Sequence, residues 1–263
     1  MANANGWGDG ASNNNIGWGK GADNAIGWGD IHADSWAGLT DIVGTASFSN
    51  TKSISLDGID DYVDCGTITA LNGGISAFSI SLWFKYTGSL SASDNILVSG
   101  GSLTNNDFYI QPINSTTIRY GHSASFTDTT ISSISINTWY NLMLVHNGTS
   151  FSLYLNGTLQ NTTTFIPNIA TNQGTNFNIG RYNISGGLNY LGNIDDVAVW
   201  NSDQSANASA IGSTIPTDLS IYSPLSWWRC GDGDTSPTLT DNGSGGNNGT
   251  MTNFTTFSTD VPI

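Results

Sequence analysis

From about residue 46 onward, apolar and polar positions alternate over short runs. Phe78, Ile80, Leu82 and Phe84 interleave with Ser79, Ser81, Trp83 and Lys85. That period of two predicts a half-buried strand with a lone Trp on its polar face. Trp139 to His146 is an almost continuous apolar run, which predicts a central strand covered on both faces. Asn147-Gly148 and Asn156-Gly157 bracket the alternating run Phe151 to Leu155. Asn-Gly in that position predicts hairpin turns, because both central residues need positive φ. Ile194 to Trp200 predicts another strand, and the only helical pattern is a short one near Gln204 to Ile211. The expected fold class is all-β, a two-sheet antiparallel sandwich.

Residues 1–44 follow a different rule. Gly6-Trp7-Gly8, Gly17-Trp18-Gly19 and Gly27-Trp28-Gly29 repeat one pattern, and Trp36 follows. The Trp spacings of 11, 10 and 8 fit neither a heptad nor an alternation. With few aliphatic residues the segment has no core of its own. Exposing four indoles to water is costly, and periodic aromatics in a polar arm read as anchors that fill pockets on a partner. Trp7, Trp18, Trp28 and Trp36 are the expected partner-docking residues. A small self-folded or trimeric collar and a disordered tail are the alternatives.

Charge narrows the partners. The chain has 20 acidic residues against 6 Lys and Arg, a formal charge of −14. Such a surface disfavours nucleic acid, anionic membranes and polyanionic sugars, and leaves neutral glycans as the better ligand class. Every acidic residue is Asp; the chain contains no Glu. The start carries no basic or apolar leader, and no run is long enough for a membrane span. Asn-x-Ser/Thr triplets such as Asn147-Gly148-Thr149 are therefore read as chance in an Asn/Thr-rich chain. Cys65 and Cys230 are expected to be free, buried thiols.

Four segments resemble known motifs in order. They are Ser53 to Val63 (SISLDGIDDYV), Phe78 to Phe84 (FSISLWF), Trp139 to Val145 with Phe151 to Gly157 (FSLYLNG), and Gly192 to Asn201 (GNIDDVAVWN). They resemble the laminin-G-like, concanavalin A-type jelly rolls, which implies a jelly-roll sandwich over residues 45–263 with residues 1–44 as a separate arm. Pro224 to Trp228 and Thr240 to Thr250 resemble what usually precedes the first motif in such domains. The resemblance therefore implies a circular permutation, with 222–263 supplying the opening strand; a truncated second repeat is the alternative. Hydrolases of this architecture carry paired glutamates on one strand, and glycoside cleavage needs two carboxylates flanking the bond. Without Glu, the expected protein is not an enzyme.

The arm and the C-terminal tail together resemble virion structural proteins of tailed phages. That resemblance implies a capsid decoration or cement protein on the virion surface, assembled in the host cytoplasm. Its partners would be major capsid or tail proteins, with a homo-oligomer as one arrangement. A tail adhesin recognising neutral host-surface glycans is the alternative, and a glycan-active enzyme the remote one. No cofactor is required. The jelly-roll resemblance does imply a structural Ca²⁺ that clips opening to closing strand, through Asp195 with Asp232 or Asp234, and Asp57 and Asp61 as further ligands; capping of turns by these aspartates is the competing reading. Trp83, Tyr109, Tyr120 and Tyr154 are the carbohydrate-binding candidates on a concave sheet, against ordinary packing. Asp60 and Asp61, adjacent on a strand, would point to opposite faces and could not cooperate in catalysis. His32, His122 and His146 are dispersed, without zinc-ligand spacing.

Overall fold

The structure is a computed structural model that describes residues 48–68, 77–88, 95–100, 108–122, 125–164, 176–182 and 188–263. The chain divides into a unit Met1–Phe48 and a unit Ser49–Ile263. Trp7, Trp18, Trp28 and Trp36 lie outside the described residues.

The strands are β1 (Ser53–Asp57), β2 (Tyr62–Asp64), β3 (Phe78–Tyr86), β4 (Val98–Gly100), β5 (Phe108–Asn114), β6 (Thr117–His122), β7 (Ser125–Thr130) and β8 (Trp139–His146). They continue with β9 (Phe151–Leu155), β10 (Thr158–Thr163), β11 (Asn178–Ile179), β12 (Leu191–Trp200), β13 (Ser226–Trp228), β14 (Thr238–Leu239), β15 (Gly249–Thr252) and β16 (Phe257–Ser258). One sheet runs β10-β9-β8-β3-β12-β1-β16, with β13 also paired to β12; the other runs β14-β15-β2-β11-β4-β5-β6-β7. Inward-facing residues of β3, β8 and β12, among them Leu82, Phe84, Leu142, Leu144 and Val197, share one core with Val63, Ile110, Ile118 and Ile179 of the second sheet. Among the described residues no helix is long and apolar enough to cross a membrane.

The expected antiparallel sandwich is present, and β8 is a central strand between β3 and β9. Two local expectations need correction. β3 is covered on both faces, not half-buried: Ser79, Ser81 and Trp83 are all buried. The segment after β12 returns across this face, where Ser79 Oγ donates to Ser202 O at 2.8 Å and accepts from Gln204 N at 3.0 Å. Its buried hydroxyls are thus bonded, as burial of polar groups requires. The predicted helix appears there as a 3-10 turn followed by α1 (Ala208–Ile211). The two Asn-Gly turns also differ. Asn156 (φ 48°) and Gly157 (φ 68°) form the expected pair of left-handed residues. A Cβ on Gly157 would sit 3.0 Å from Ser209 Cα, so the residue serves a close approach as well. At the first turn only Gly148 is left-handed, and Asn147 Oδ1 instead accepts from Thr149 N and Ser150 N at 3.0 and 2.9 Å.

The C-terminal segment enters both sheets, through β13 beside β12 and β15 beside β2. Trp228 is fully buried, stacks on Phe177 with centroids 5.7 Å apart, and donates its Nε1 to Asn247 O at 2.7 Å. Cys65 and Cys230 are free and buried, and burial raises both thiols well above the usual range.

β12 holds β3 along one edge and divides its other edge between β1, at Leu191–Ile194, and β13, at Val197–Val199. A bulge falls between the two, with Asp196 left-handed at φ 45°. Asp tolerates that conformation better than most residues. Asp195 and Asp196 are both buried here. Asn50 Nδ2 donates to Asp195 Oδ2, and Trp227 Nε1 donates to Asp196 Oδ1, each at 2.9 Å. The residues of the implied calcium site, Asp195 with Asp232 or Asp234, each take hydrogen bonds here. Asp232 accepts from Thr51 N at 2.9 Å and lies 3.7 Å from Arg229, tying the start of β1 to the C-terminal segment directly. Asp234 accepts from Gly231 N and Thr240 N at 2.8 and 2.7 Å. Asp234 acts as a turn cap, because a short carboxylate reaches nearby amides, whereas Asp232 is a cross-chain tie.

Two outcomes are expected. Trp228→Ala costs about 3–5 kcal/mol in urea denaturation; a cost under about 1 kcal/mol would mean that the C-terminal strands are not part of the core. The second concerns the acid pair. Burial, then the adjacent Asp196, raises the Asp195 carboxyl, and burial raises Asp196 to about 7. A folded pKa above the unfolded value of about 3.9 makes the fold hold protons that the unfolded chain releases. That contribution is complete below about pH 4 and is lost as pH rises through 7. His146, lowered by burial between Phe78 and Phe151, works in the opposite sense as pH falls below about 6.5. The readout is therefore the difference between variant and wild type. Asp196→Asn, which keeps an acceptor for Trp227, raises Tm at pH 8 by roughly 5–10 °C and by progressively less toward pH 4. A gain independent of pH would refute the assignment.

Candidate functional site

The four carbohydrate candidates do not share a surface. Tyr120 sits in the main core, fully buried, with its hydroxyl 3.3 Å from Thr129 Oγ1. It has no face to offer a sugar, because β6 directs it between the sheets. Tyr109, one strand away, points out of the other side of the same sheet. There it packs edge-on against Tyr182, centroids 5.5 Å apart, in a small cluster with Ile96. Trp83 and Tyr154 belong to the first sheet, on β3 and β9. Trp83 is buried to 4% exposure opposite Asn141 and Asp195, and Tyr154 is partly exposed. The alternation along each strand was readable, but the sheet to which each strand belongs was not.

A different group converges at one end of the second sheet. The turn between β1 and β2 carries Asp57, Ile59, Asp60 and Asp61, and Tyr62 opens β2. Asp57 Oδ1 accepts from Ile59 N at 2.8 Å and from Asp60 N at 3.3 Å, and Asp61 Oδ2 accepts from Asp57 N at 3.1 Å. Beside it, Gly180–Tyr182 and Leu188–Tyr190 pair through Tyr182 N to Leu188 O and Tyr190 N to Gly180 O. This stem supplies Arg181 and Asn189. The Arg181 guanidinium stacks 4.4 Å from the Tyr62 ring centroid, and Asn189 Nδ2 donates to Ile59 O. β15 pairs Thr252 with Tyr62, and Asn253 (φ 68°) donates its Nδ2 to Asp60 O at 2.9 Å.

These elements enclose an open cavity of about 400 Å³ lined by Ile59, Asp60, Tyr62, Arg181, Asn189, Thr252 and Asn253. Its size is that of a small-ligand pocket. Three features bear on what it can hold. Ile59 is an apolar rim residue, 73% exposed. Asp60 takes no side-chain hydrogen bond among the described residues. Asn189 is buried, and its Oδ1 has no partner.

The turn also corrects the expectation that Asp60 and Asp61 diverge. They lie in a bend rather than a strand, and the carboxylates of Asp57, Asp60 and Asp61 come within 4.8 Å of one another. Burial, then the Asp57 carboxylate, raises Asp61 above the usual range. Asp60 and Tyr62 stood inside a motif visible in the sequence. Arg181, Asn189 and Asn253 carried no signal, because only the pairing of strands distant in sequence brings them to this pocket.

The pattern of the chain matches the family model of the concanavalin A-like lectin/glucanases superfamily over residues 57–208, more than half its length. Among solved structures, the chain is similar to a candidate carbohydrate-binding protein from Bacteroides ovatus, with TM-score 0.60 and 19% identity over 82% of this chain and 62% of that one. Domain 4 of the extracellular arabinanase AbnA from Geobacillus stearothermophilus, solved with arabinotriose, gives TM-score 0.48 and 18% identity over 61% of this chain and 76% of that one. The sialidase module CBM40 from Ruminococcus gnavus, solved with α2,3-sialyllactose, gives 0.45 and 15% over 63% and 100%. At 19% identity the first of these similarities speaks to the fold alone. No curated protein matches the chain.

Proposed function

The chain belongs to the concanavalin A-like lectin/glucanases superfamily, and we propose that it is a non-catalytic binding module whose pocket at the β1–β2 turn holds a neutral glycan. The observation that carries this reading is the pocket itself. It combines a planar cation on an aromatic ring, two side-chain amides, a carboxylate without a bonding partner and an apolar rim. Carboxylate and amide oxygens accept from sugar hydroxyls, the guanidinium donates to them, and the Ile59 rim meets the apolar face of a ring. Three nearby carboxylates and a formal charge of −14 repel acidic sugars.

The same geometry disfavours hydrolysis. Cleavage needs an acid and a second carboxylate on opposite sides of the scissile bond. Asp57, Asp60 and Asp61 all project from one turn, and two of them are engaged with its amides.

The Gly-Trp-Gly repeat favours a second, compatible reading. The arm would anchor the module to a particle through Trp7, Trp18, Trp28 and Trp36, as in a phage virion decoration protein with the sandwich displayed outward.

Two measurements check these readings. On an array of neutral oligosaccharides the protein binds at least one class, and Tyr62→Ala and Arg181→Ala each weaken that binding about tenfold, the loss of roughly 1.4 kcal/mol expected for a well-placed contact. Absence of any glycan bound, or binding unaffected by both changes, would rule the pocket out. For the second reading, deleting residues 1–44 abolishes cosedimentation with virions while far-ultraviolet circular dichroism still reports strand; retained cosedimentation would exclude anchoring by the arm.

A further inference from the structure

We infer that the pocket selects a sugar carrying an acetamido group, with Asp60 accepting from the amide N–H, Arg181 donating to the amide carbonyl and Ile59 meeting the methyl. The inference rests on the glycan reading and names the class of glycan. Two pairings build the walls. Arg181 and Asn189 face each other across an antiparallel bridge, and Thr252 faces Tyr62 across the β15–β2 ladder. Residues opposed in this way project to the same side of a sheet. All four line one cavity with Ile59 and Asp60.

The polar groups of that cavity are unevenly committed. Asn189 Nδ2 donates to Ile59 O and Asn253 Nδ2 donates to Asp60 O, so both side-chain amides hold the backbone of the turn. Asp60 is engaged only through its backbone among the described residues. Arg181 lies over the Tyr62 ring, and a stacked guanidinium keeps the N–H groups of its own plane for other acceptors. Although both line one cavity, Asp60 and Arg181 form no ion pair with each other. The space between them admits a group that bonds to both. One is an acceptor without donors, the other a donor without acceptors. A hydroxyl can meet either. An acetamido group needs both at once, because its N–H and C=O point in opposite directions from one rigid plane.

The apolar surface points the same way. A plain sugar presents its broad ring face to an aromatic side chain. Tyr62 is the one aromatic residue among the described lining residues, and Arg181 covers one of its faces. The apolar surface left open is Ile59, 73% exposed and adjacent to Asp60 in sequence. A branched alkyl group is a small convex contact, suited to a methyl, and removing that methyl from water is favourable. A free-amine sugar is the competing ligand, since the three carboxylates of the turn lie within 4.8 Å of one another and attract an ammonium. An ammonium, however, repels Arg181, offers it no acceptor and brings no methyl to Ile59.

The test titrates the full chain with matched methyl glycosides, N-acetylglucosamine against glucose and N-acetylgalactosamine against galactose, followed by ligand-observed NMR. Within at least one pair the acetamido sugar is expected to bind about tenfold more tightly. Its acetyl methyl is expected to receive the strongest saturation transfer from the protein. Ile59→Ala, at an exposed position, weakens the acetamido sugar about fourfold and the plain sugar little, so the preference narrows. Leu159→Ala, an exposed apolar change on β10, alters neither. Equal affinity within both pairs, or a preference that survives Ile59→Ala undiminished, overturns the inference and spares the glycan reading. Tighter binding of the corresponding free-amine glycosides overturns it in favour of ammonium capture by the acidic turn. No binding of any of these sugars, or of any glycan on the array, sinks this inference and the glycan reading together.

Discussion

A strand has two hydrogen-bonding edges, and β12 must serve three partners with them. β3 takes one edge, while β1 and β13, from opposite ends of the sandwich sequence, share the other in succession. Three consequences follow from that division. The strand needs a break where one partner ends and the next begins, and the bulge at Asp196 supplies it. The break leaves polar groups inside the sheet, and Asp195 and Asp196 occupy it with donors from Asn50 and Trp227. The chain segments around the break must also be held together, and Asp232 does this by capping Thr51 from the C-terminal side. The acids here are a structural cost of the topology: burial raises both carboxyls above their usual range, and donors from Asn50 and Trp227 meet them inside the sheet.

The same C-terminal segment that completes the first sheet builds the pocket in the second. β15 runs beside β2, so Thr252 and Asn253 arrive next to Tyr62 and Asp60. The family match ends at residue 208, yet the pocket needs residues beyond it. The strands of the C-terminal segment therefore bear on the site as well as on stability. Trp228 and Asn253 lie 25 positions apart in a segment that touches both sheets.

Strand positions and one hairpin were legible in the sequence because they depend on local periodicity. Trp139 to His146 reads as a covered strand from composition alone, and Asn156-Gly157 forms the turn its residue types require. Where a tertiary contact replaces water, the local reading fails. Ser79 and Ser81 look solvent-facing, but the segment after β12 bonds Ser79 and Asn141 of β8 donates to Ser81, supplying the hydrogen bonds that water would have given. Tyr120 fails for a related reason, since alternation gives two faces to a strand and does not say which one meets the other sheet. The pocket residues Arg181 and Asn189 are set by a stem pairing across a loop, and no periodicity announces them.

The missing glutamate has a structural counterpart. A shorter carboxylate reaches the amides of its own turn, and the aspartates here do that repeatedly. Asp64 accepts from Gly66 N, Asp203 from Ser205 N, Asp218 from Ser220 N, and Asp241 from Trp227, Gly243 and Asn247 N. Glu carries an extra methylene, with more rotamer freedom to lose and a poorer fit to such turns. A chain with so little helix and so many tight connections therefore has use for Asp where another fold would place Glu. Against that background Asp60 stands apart. Among the described aspartates its carboxylate accepts no hydrogen bond, and it faces a cavity beside two other carboxylates and an unsatisfied amide oxygen. The other described aspartates hold turns, strands or distant segments together through hydrogen bonds; Asp60 is held by its turn with its carboxylate at the cavity.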